Sequence, residues 1–218
     1  MNFCHVTLEK ELIDYPRVNI DGRRHYQISH RCYPSITSVL SYTSDKSYLK
    51  EWRNRIGDDA ADKIVNNSAK RGTNMHQMCE DYLNNNPLST KMPDALELFY
   101  SLKPLLNRIN NIHCQEKSLY SHKIKIAGSV DCIGEFDGIL SVIDFKNSRK
   151  TKKEEDIYDY FLQATFYALA YQEMTGTIID QIVIIIAVEN DDSQYFVKKI
   201  KPYIKGLVDR KQQFDKNI

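Results

Sequence analysis

The stretch AGSVDCIGEFDGILSVIDFKN, residues 127–147, decides the fold. Two β-prone apolar runs flank Asp137-Gly138, and Asp-Gly between alternating hydrophobics is the strongest short-range hairpin signal. With Asp137 and Gly138 as the loop, Phe136 pairs with Ile139 and Asp131 lands opposite Asp144. Directly opposite residues share a face, with Cβ atoms about 4.5–5.5 Å apart. Two carboxylates held that way repel unless a cation lies between them. Lys146 follows Asp144 by two residues, so the strand period puts it on the same face, opposite the small Ser129. One face of one hairpin therefore presents Asp131, Asp144 and Lys146. Either aspartate alone would read as a solvated carboxylate on a half-exposed sheet. Two in register beside Lys146 read as a divalent-metal site with a cationic neighbour. Hard oxygen ligands suit Mg²⁺ or Mn²⁺, and the combination suits phosphodiester hydrolysis.

The bulk numbers set the outer bounds. A chain of 218 residues suits one large domain or a domain with an elaborated end. At 42% hydrophobic and 27% charged it has the composition of an ordinary globular protein. The net charge of +1 makes no global electrostatic case for nucleic acid, so any such surface is local. No apolar run reaches the roughly 18 residues of a membrane span. The start, MNFCHVTLEKELIDYP, has neither a signal-peptide nor a transit-peptide pattern. A cytoplasmic protein, bacterial or from a phage-infected host, is expected, with no membrane partner. The five cysteines, Cys4, Cys32, Cys79, Cys114 and Cys132, are scattered and odd in number, which argues against a disulfide framework or a zinc site.

Outward from the hairpin, the periodicities give an order of elements. Residues 1–33 allow a short hairpin turning at Asp21-Gly22. Tyr33 to Leu40 reads as a turn entering a helix that Ser35 or Thr37 caps. Leu49 to Ile64 has helical spacing, broken at Gly57. A helix is expected from Asn67 or Ser68 to Leu83, with His76 and Glu80 as i,i+4 neighbours. Another is expected over 94–112, kinked or bounded at Pro104. Strands are expected at Gln115–Tyr120 and Lys123–Ile126, ahead of the hairpin. Asp156–Met174 is helical and ends at Gly176. Ile182–Val188 is apolar without alternation, which suits a strand buried on both faces. Tyr195–Ile200 is edge-like, and Tyr203–Phe214 is a basic amphipathic helix. The expected architecture is α/β, a mixed sheet covered by helices in one domain over 1–218: an N-terminal elaboration over 1–66, a core over 67–200 and a C-terminal helix over 201–218.

Four pieces now carry a resemblance: Tyr33-Pro34-Ser35-Ile36-Thr37-Ser38-Val39-Leu40, Arg71-Gly72-Thr73-Asn74-Met75-His76, Gly128-Ser129-Val130-Asp131-Cys132, and Val142-Ile143-Asp144-Phe145-Lys146-Asn147-Ser148. With Gln163 and Tyr167 downstream, the chain resembles the PD-(D/E)XK nuclease superfamily over roughly residues 33–200. His76 makes it similar to the RecB-like branch, near the mitochondrial genome maintenance exonuclease group and its phage relatives. The family often has Lys-Thr-Ser where this chain has Lys146-Asn147-Ser148.

The resemblance implies an αβββαβ restriction-endonuclease-like core and a Mg²⁺- or Mn²⁺-dependent deoxyribonuclease using one or two ions. Asp131, Asp144, the Phe145 backbone carbonyl, His76 and Glu116 are the implied ligands, though Glu116 reads almost as well as an exposed strand residue. Lys146 is the implied partner of the attacking water. Gln163 and Tyr167, i,i+4 on one helix, either face the metal site or pack against the sheet. Arg71 and Ser148 are implied DNA contacts, and the basic run Lys146, Arg149, Lys150, Lys152 and Lys153 either steers the DNA backbone or is a solvated loop. Ser35 and Thr37 either contact phosphate or simply cap. Some RecB-like nucleases hold an iron–sulfur cluster near the C-terminus, but no cysteine follows Cys132, so none is expected. The implied activity is a single-stranded-DNA exonuclease in replication, repair or recombination, monomeric, working beside other replication or recombination proteins. A structure-specific or restriction-type endonuclease and an inactive nucleic-acid-binding relative are the alternatives.

Overall fold

Both loop residues of the hairpin, Asp137 (φ 51°) and Gly138 (φ 76°), lie in the left-handed region, as a two-residue type I′ turn demands. In the computed structural model, which describes residues 2–89 and 92–217, this turn joins β5 (Ile126–Phe136) to β6 (Ile139–Ser148). The pairing runs from Phe136/Ile139 to Cys132/Ile143, in the register read from the sequence. There it stops, one residue short of Asp131 and Asp144. Beyond that point β5 keeps only its pairing with β4 (Ile109–Ser121), and β6 only its parallel pairing with β7 (Gln181–Val188), which runs as far as Ser148/Val188. The two strands thus part at the two aspartates. The edge strand β8 (Gln194–Lys199) completes a sheet of order β4-β5-β6-β7-β8.

Every residue of β7 is buried. Its alternation decides which core each one fills. Ile182, Ile184 and Ile186 join the cluster under α1 (Ile36–Thr43), α5 (Tyr158–Thr175) and α6 (Ile204–Lys216). Val183, Ile185 and Ala187 join the one under α3 (Asp58–Leu83) and α4 (Pro93–Leu106). Each such aliphatic residue contributes about 1.5–3 kcal/mol of burial, and together they clamp helices on both faces. The parallel β6–β7 pair requires a crossover, and α5, ended at Gly176 in the left-handed conformation (φ 81°), supplies it.

Three boundaries differ from the sequence reading. The helix expected from Asn67 or Ser68 begins at Asp58 and is 26 residues long. Gly57 (φ 85°) closes α2 (Ser47–Ile56) and opens α3 at once, and Asp58 and Asp59 favour its positive end. The helix expected over 94–112 stops at Leu106, two residues after Pro104, and Ile109 already belongs to β4. A bulge causes the misreading. The β4/β5 register shifts between Asn110 and Cys114, with Asn111 at φ 44°, so buried Ile109 and Ile112 lie three apart on a strand. Residues 122–125 form the turn into β5 rather than a separate strand, closed by the Lys125 N–H donating to the Ser121 carbonyl at 2.8 Å.

The N-terminal residues form a second sheet, β1 (Arg17–Ile20), β2 (Arg23–Ile28) and β3 (Arg31–Pro34). It turns at Asp21-Gly22 as the sequence suggested. The sheet is fastened to the main body near Ser35. The Ser35 N–H donates to the Arg24 carbonyl at 2.9 Å, and Ser35 bridges Ala127 of β5.

Candidate active site

Where β5 and β6 part, the side chains fill the opening. Asp131 Oδ2 accepts from the Phe145 N–H at 2.8 Å, replacing the backbone rung that would have continued the ladder. Glu116 lies between the paired positions Gln115/Cys132 and Lys117/Val130, which sets it across from Asp131 on β4. Its φ of 49° is left-handed, a strain of order 1–2 kcal/mol for an L-residue. His76 comes down from α3, with Nδ1 3.6 Å from Asp131 Oδ2 and 3.9 Å from Glu116 Oε1. One donor atom from each of His76, Glu116 and Asp131 lies within 4.8 Å of the others.

Helix α3 gets this close because of Gly72, one turn before His76. A Cβ on Gly72 would sit 2.9 Å from Asn147 Oδ1 on β6. Asn147, in the place the family often gives to Thr, is itself turned toward α3, its Nδ2 donating to the Ser68 carbonyl at 3.5 Å.

Asp144 is fully buried, its Oδ2 ion-paired with Lys146, while its Oδ1 has no hydrogen-bond partner among the described residues. Burial pushes its pKa up to about 6, with the Asp131 charge adding and the Lys146 ammonium opposing. Lys146 keeps its proton. Burial works against the charge, but Asp144 and Asp131 hold its pKa above the ordinary value. The ammonium also lies 5.2 Å from the Tyr160 ring centroid on α5, a cation–π contact. For His76, burial opposes protonation while Asp131 and Glu116 favour it, and the balance is upward.

A groove of about 1090 Å³ runs over this cluster. Asp131, Lys146, His76, Glu116, Gln163, Tyr167, Ser35 and Thr37 all line it. Gln163 and Tyr167 meet each other at 3.5 Å, Nε2 to OH, and both border the groove, Tyr167 with its ring buried in the core. Ser35 both caps α1, accepting from the Ser38 N–H at 3.0 Å, and borders the groove with Thr37. Four expected DNA contacts lie elsewhere. Arg71 and Arg149 both turn to Glu189, around a separate small pocket. Ser148 donates to the Lys150 carbonyl at 2.6 Å in an exposed turn. In their place the groove holds Arg17 and Arg24 from the N-terminal sheet, which the sequence did not single out. Tyr160 was missed as well. Its only signal was its position on the helix of Gln163 and Tyr167, one turn before Gln163.

Comparison with known proteins bears on the whole arrangement. The family model of the PD-(D/E)XK nuclease superfamily matches residues 86–214, more than half of the chain. The chain belongs to that superfamily. The matched stretch carries Glu116, Asp131, Asp144, Lys146, Gln163 and Tyr167, while His76 precedes it. Mitochondrial genome maintenance exonuclease 1 of mouse is 28% identical over 144 residues, covering 62% of this chain and 43% of the relative. The frog protein, from Xenopus tropicalis, is 27% identical over 177 residues, 76% of this chain and 50% of the relative. This PD-(D/E)XK chain thus spans about half the length of the curated relatives it matches. A solved protein from Eubacterium rectale overlays 68% of this chain and 66% of its own at a TM-score of 0.47 and 9% identity, a partial likeness that carries no argument about activity.

The donors fit a divalent cation. Two carboxylates, Glu116 and Asp131, converge with a nitrogen of His76. Lys146 meets only Oδ2 of the buried Asp144, and Oδ1 has no partner among the described residues, which costs free energy unless something cationic meets it.

Proposed function

We propose that this PD-(D/E)XK nuclease is a Mg²⁺- or Mn²⁺-dependent deoxyribonuclease that degrades single-stranded DNA from an end. The observation that carries the reading is the fork between β5 and β6. There Asp131, Glu116 and His76 crowd within 4.8 Å, beside a buried carboxylate paired to a buried lysine. Asp131, Asp144, Glu116, His76 and the Phe145 carbonyl would hold the ion, which when bound supplies Lewis acidity to a phosphate oxygen and acidity to water. Lys146, kept protonated by its two aspartates, orients the water that attacks phosphorus and meets the negative charge that grows on the phosphorane. Tyr160 holds that ammonium from the far side. Gln163 and Tyr167 present an amide and a hydroxyl to the strand's backbone, and Ser35 and Thr37 present hydroxyls from the other wall.

The preference for ends is supported by the relatives, which are named exonucleases, and their name supports a genome-maintenance role such as replication or repair. The single-strand preference rests on the resemblance carried by the Arg71–His76 and Val142–Ser148 motifs. The test uses end-labelled linear single-stranded DNA with Mg²⁺, with Mn²⁺ and with chelator. A closed circle of the same sequence runs alongside, and Lys146→Ala runs beside the wild type. Metal-dependent shortening of the linear strand alone, lost in Lys146→Ala, is expected. Equal cutting of circle and line would replace the exonuclease with an endonuclease. No cutting with either metal, but retained binding, would leave a nucleic-acid-binding relative.

A further inference from the structure

The groove carries an electrostatic problem. Asp14, Glu80, Glu116 and Asp131 line it, with Asp144 buried just beneath, and a phosphodiester backbone brings further negative charge. Of the Lys and Arg residues lining it, Lys146 is spent on Asp144. The basic residues after β6, Arg149, Lys150, Lys152 and Lys153, do not line it, and Arg149 joins Arg71 on Glu189 outside the groove. The remaining two are Arg17 and Arg24.

Their placement follows from strand register. Arg17 pairs with Tyr26 and Asn19 with Arg24 across β1 and β2. Opposite residues, and residues two apart, share a face. Arg17, Asn19, Arg24 and Tyr26 therefore point to the same side, and Arg17, Tyr26 and Arg24 border the groove. Tyr26 is buried at 1% exposure and anchors that face. The Arg17 guanidinium lies 5.7 Å from the Tyr26 ring centroid, a contact that leaves its N–H edge free. Neither Arg17 nor Arg24 has an ion-pair partner among the described residues. Arg24 is fixed through its backbone, whose carbonyl accepts from the Ser35 N–H at 2.9 Å and the Ser38 hydroxyl at 3.2 Å. Two unpaired guanidinium groups on a fastened sheet thus stand over an acidic site.

We propose that this face of the N-terminal sheet is the wall that grips the sugar–phosphate backbone of a nucleic-acid strand, Arg17 and Arg24 each taking a phosphate beside the one being cut. The proposal rests on the nuclease reading above and makes the N-terminal sheet part of the substrate site rather than an appendage. Guanidinium forks match phosphate oxygens in pairs. On a single strand each neutralised phosphate contributes about −0.7 to the slope of log affinity against log salt.

The experiment measures binding apart from cleavage. Fluorescein-labelled oligothymidylate of about twenty nucleotides is titrated with the full chain in chelator, between 50 and 200 mM NaCl. Arg17→Ala/Arg24→Ala is expected to flatten the slope by about 1.4, so that its affinity falls about sevenfold less than wild type across that range. Arg17→Lys/Arg24→Lys is expected to keep most of the slope, and Arg55→Ala on exposed α2 all of it. If the alanine pair melts below the assay temperature, Arg17→Gln/Arg24→Gln is read instead. A wild-type slope in the neutral double variants overturns the wall, while metal-dependent cleavage by the wild type leaves the nuclease reading standing. A flattened slope with no cleavage by the wild type does the reverse.

Discussion

Replacing Gly128 with alanine sets the packing of the site against a number. A Cβ there would lie 2.9 Å from both Cε1 and OH of Tyr167 and 3.0 Å from Ile36 Cγ2. Comfortable carbon–carbon contacts lie at about 3.5–4.0 Å, so three contacts are short at once. Tyr167 is 2% exposed and Ile36 not at all, and Gly128 itself pairs with Leu119 on β4. No neighbour can swing into solvent. Overpacking of this kind costs about 1–3 kcal/mol, and in a chain of this size each kcal/mol moves the melting temperature by about 2–4 °C. Gly128→Ala should therefore melt about 2–12 °C below wild type by scanning calorimetry. Shrinking the neighbour should return part of the loss. In the double variant Gly128→Ala/Tyr167→Phe, which removes one of the short contacts, the cost should fall short of the sum of the singles by about 0.5 kcal/mol or more. An unchanged melting temperature, or strict additivity, would refute the idea that Tyr167 is wedged against the glycine.

Gly206→Ala is the contrast: its Cβ would meet the OH of Tyr158, which is 42% exposed, and lie 3.2 Å from Cδ2 of the buried Leu162, so a loss smaller than that of Gly128→Ala, about 1 kcal/mol or less, is expected in urea melts. Adding Mn²⁺ should raise the wild-type melting temperature, by linkage worth about 2.7 kcal/mol at a hundred times the dissociation constant. Asp131→Asn should abolish that rise, and a rise of equal size in the variant would remove Asp131 from the ligand set. Asp81 predicts an acid limb. Its partial burial favours the neutral form, but the Ser89 hydroxyl (2.6 Å), the Ser89 N–H (2.7 Å) and Gln77 (3.1 Å) hold its pKa below 3.8. A depressed folded pKa means stability that is fully present above about pH 4 and lost as pH falls through the folded value. Asp81→Asn should lose stability at pH 7 and show a shallower decline below pH 4, and parallel urea-melt profiles in the two proteins would contradict this.

What the sequence yields and what it hides follows from how locally each feature is coded. The β5–β6 register is legible because Asp137-Gly138 dictates its own turn and the period of two carries the pairing along. Asp131, Asp144 and Lys146 fall within sixteen consecutive residues and inherit that register. The parting of the strands at Asp131 is not legible, because it depends on the Phe145 N–H finding a carboxylate instead of a carbonyl. The start of β4 is hidden by the bulge at Asn111, which gives a strand the spacing of a helix. The start of α3 is hidden by Asn66, Asn67 and Ser68, weak helix formers that cost only about half a kcal/mol each in a helix continuous on both sides. Glu116 and His76 come from distant elements, and their convergence rests on a left-handed backbone angle and on Gly72. Whether a basic residue reaches the groove is settled still further away. Arg149 is claimed by Glu189, forty positions on, while Arg17 and Arg24 have no such claimant among the described residues.

Five paired rungs and the Phe145 N–H bond to Asp131 link β5 to β6, and so join an antiparallel half-sheet, β4 with β5, to a half that begins with the parallel pair β6 and β7. One aspartate rides on each half. The gap between them is consequently a mechanical quantity, set by how far one half is wound against the other along a short seam. Sheets resist winding less than they resist stretching. A side chain far from the chemistry, such as Gln181, whose amide donates to the Ser141 hydroxyl at 3.0 Å beside the seam, thus belongs to the same spring as the two carboxylates. A change there would tune the distance across the fork without touching any group in it.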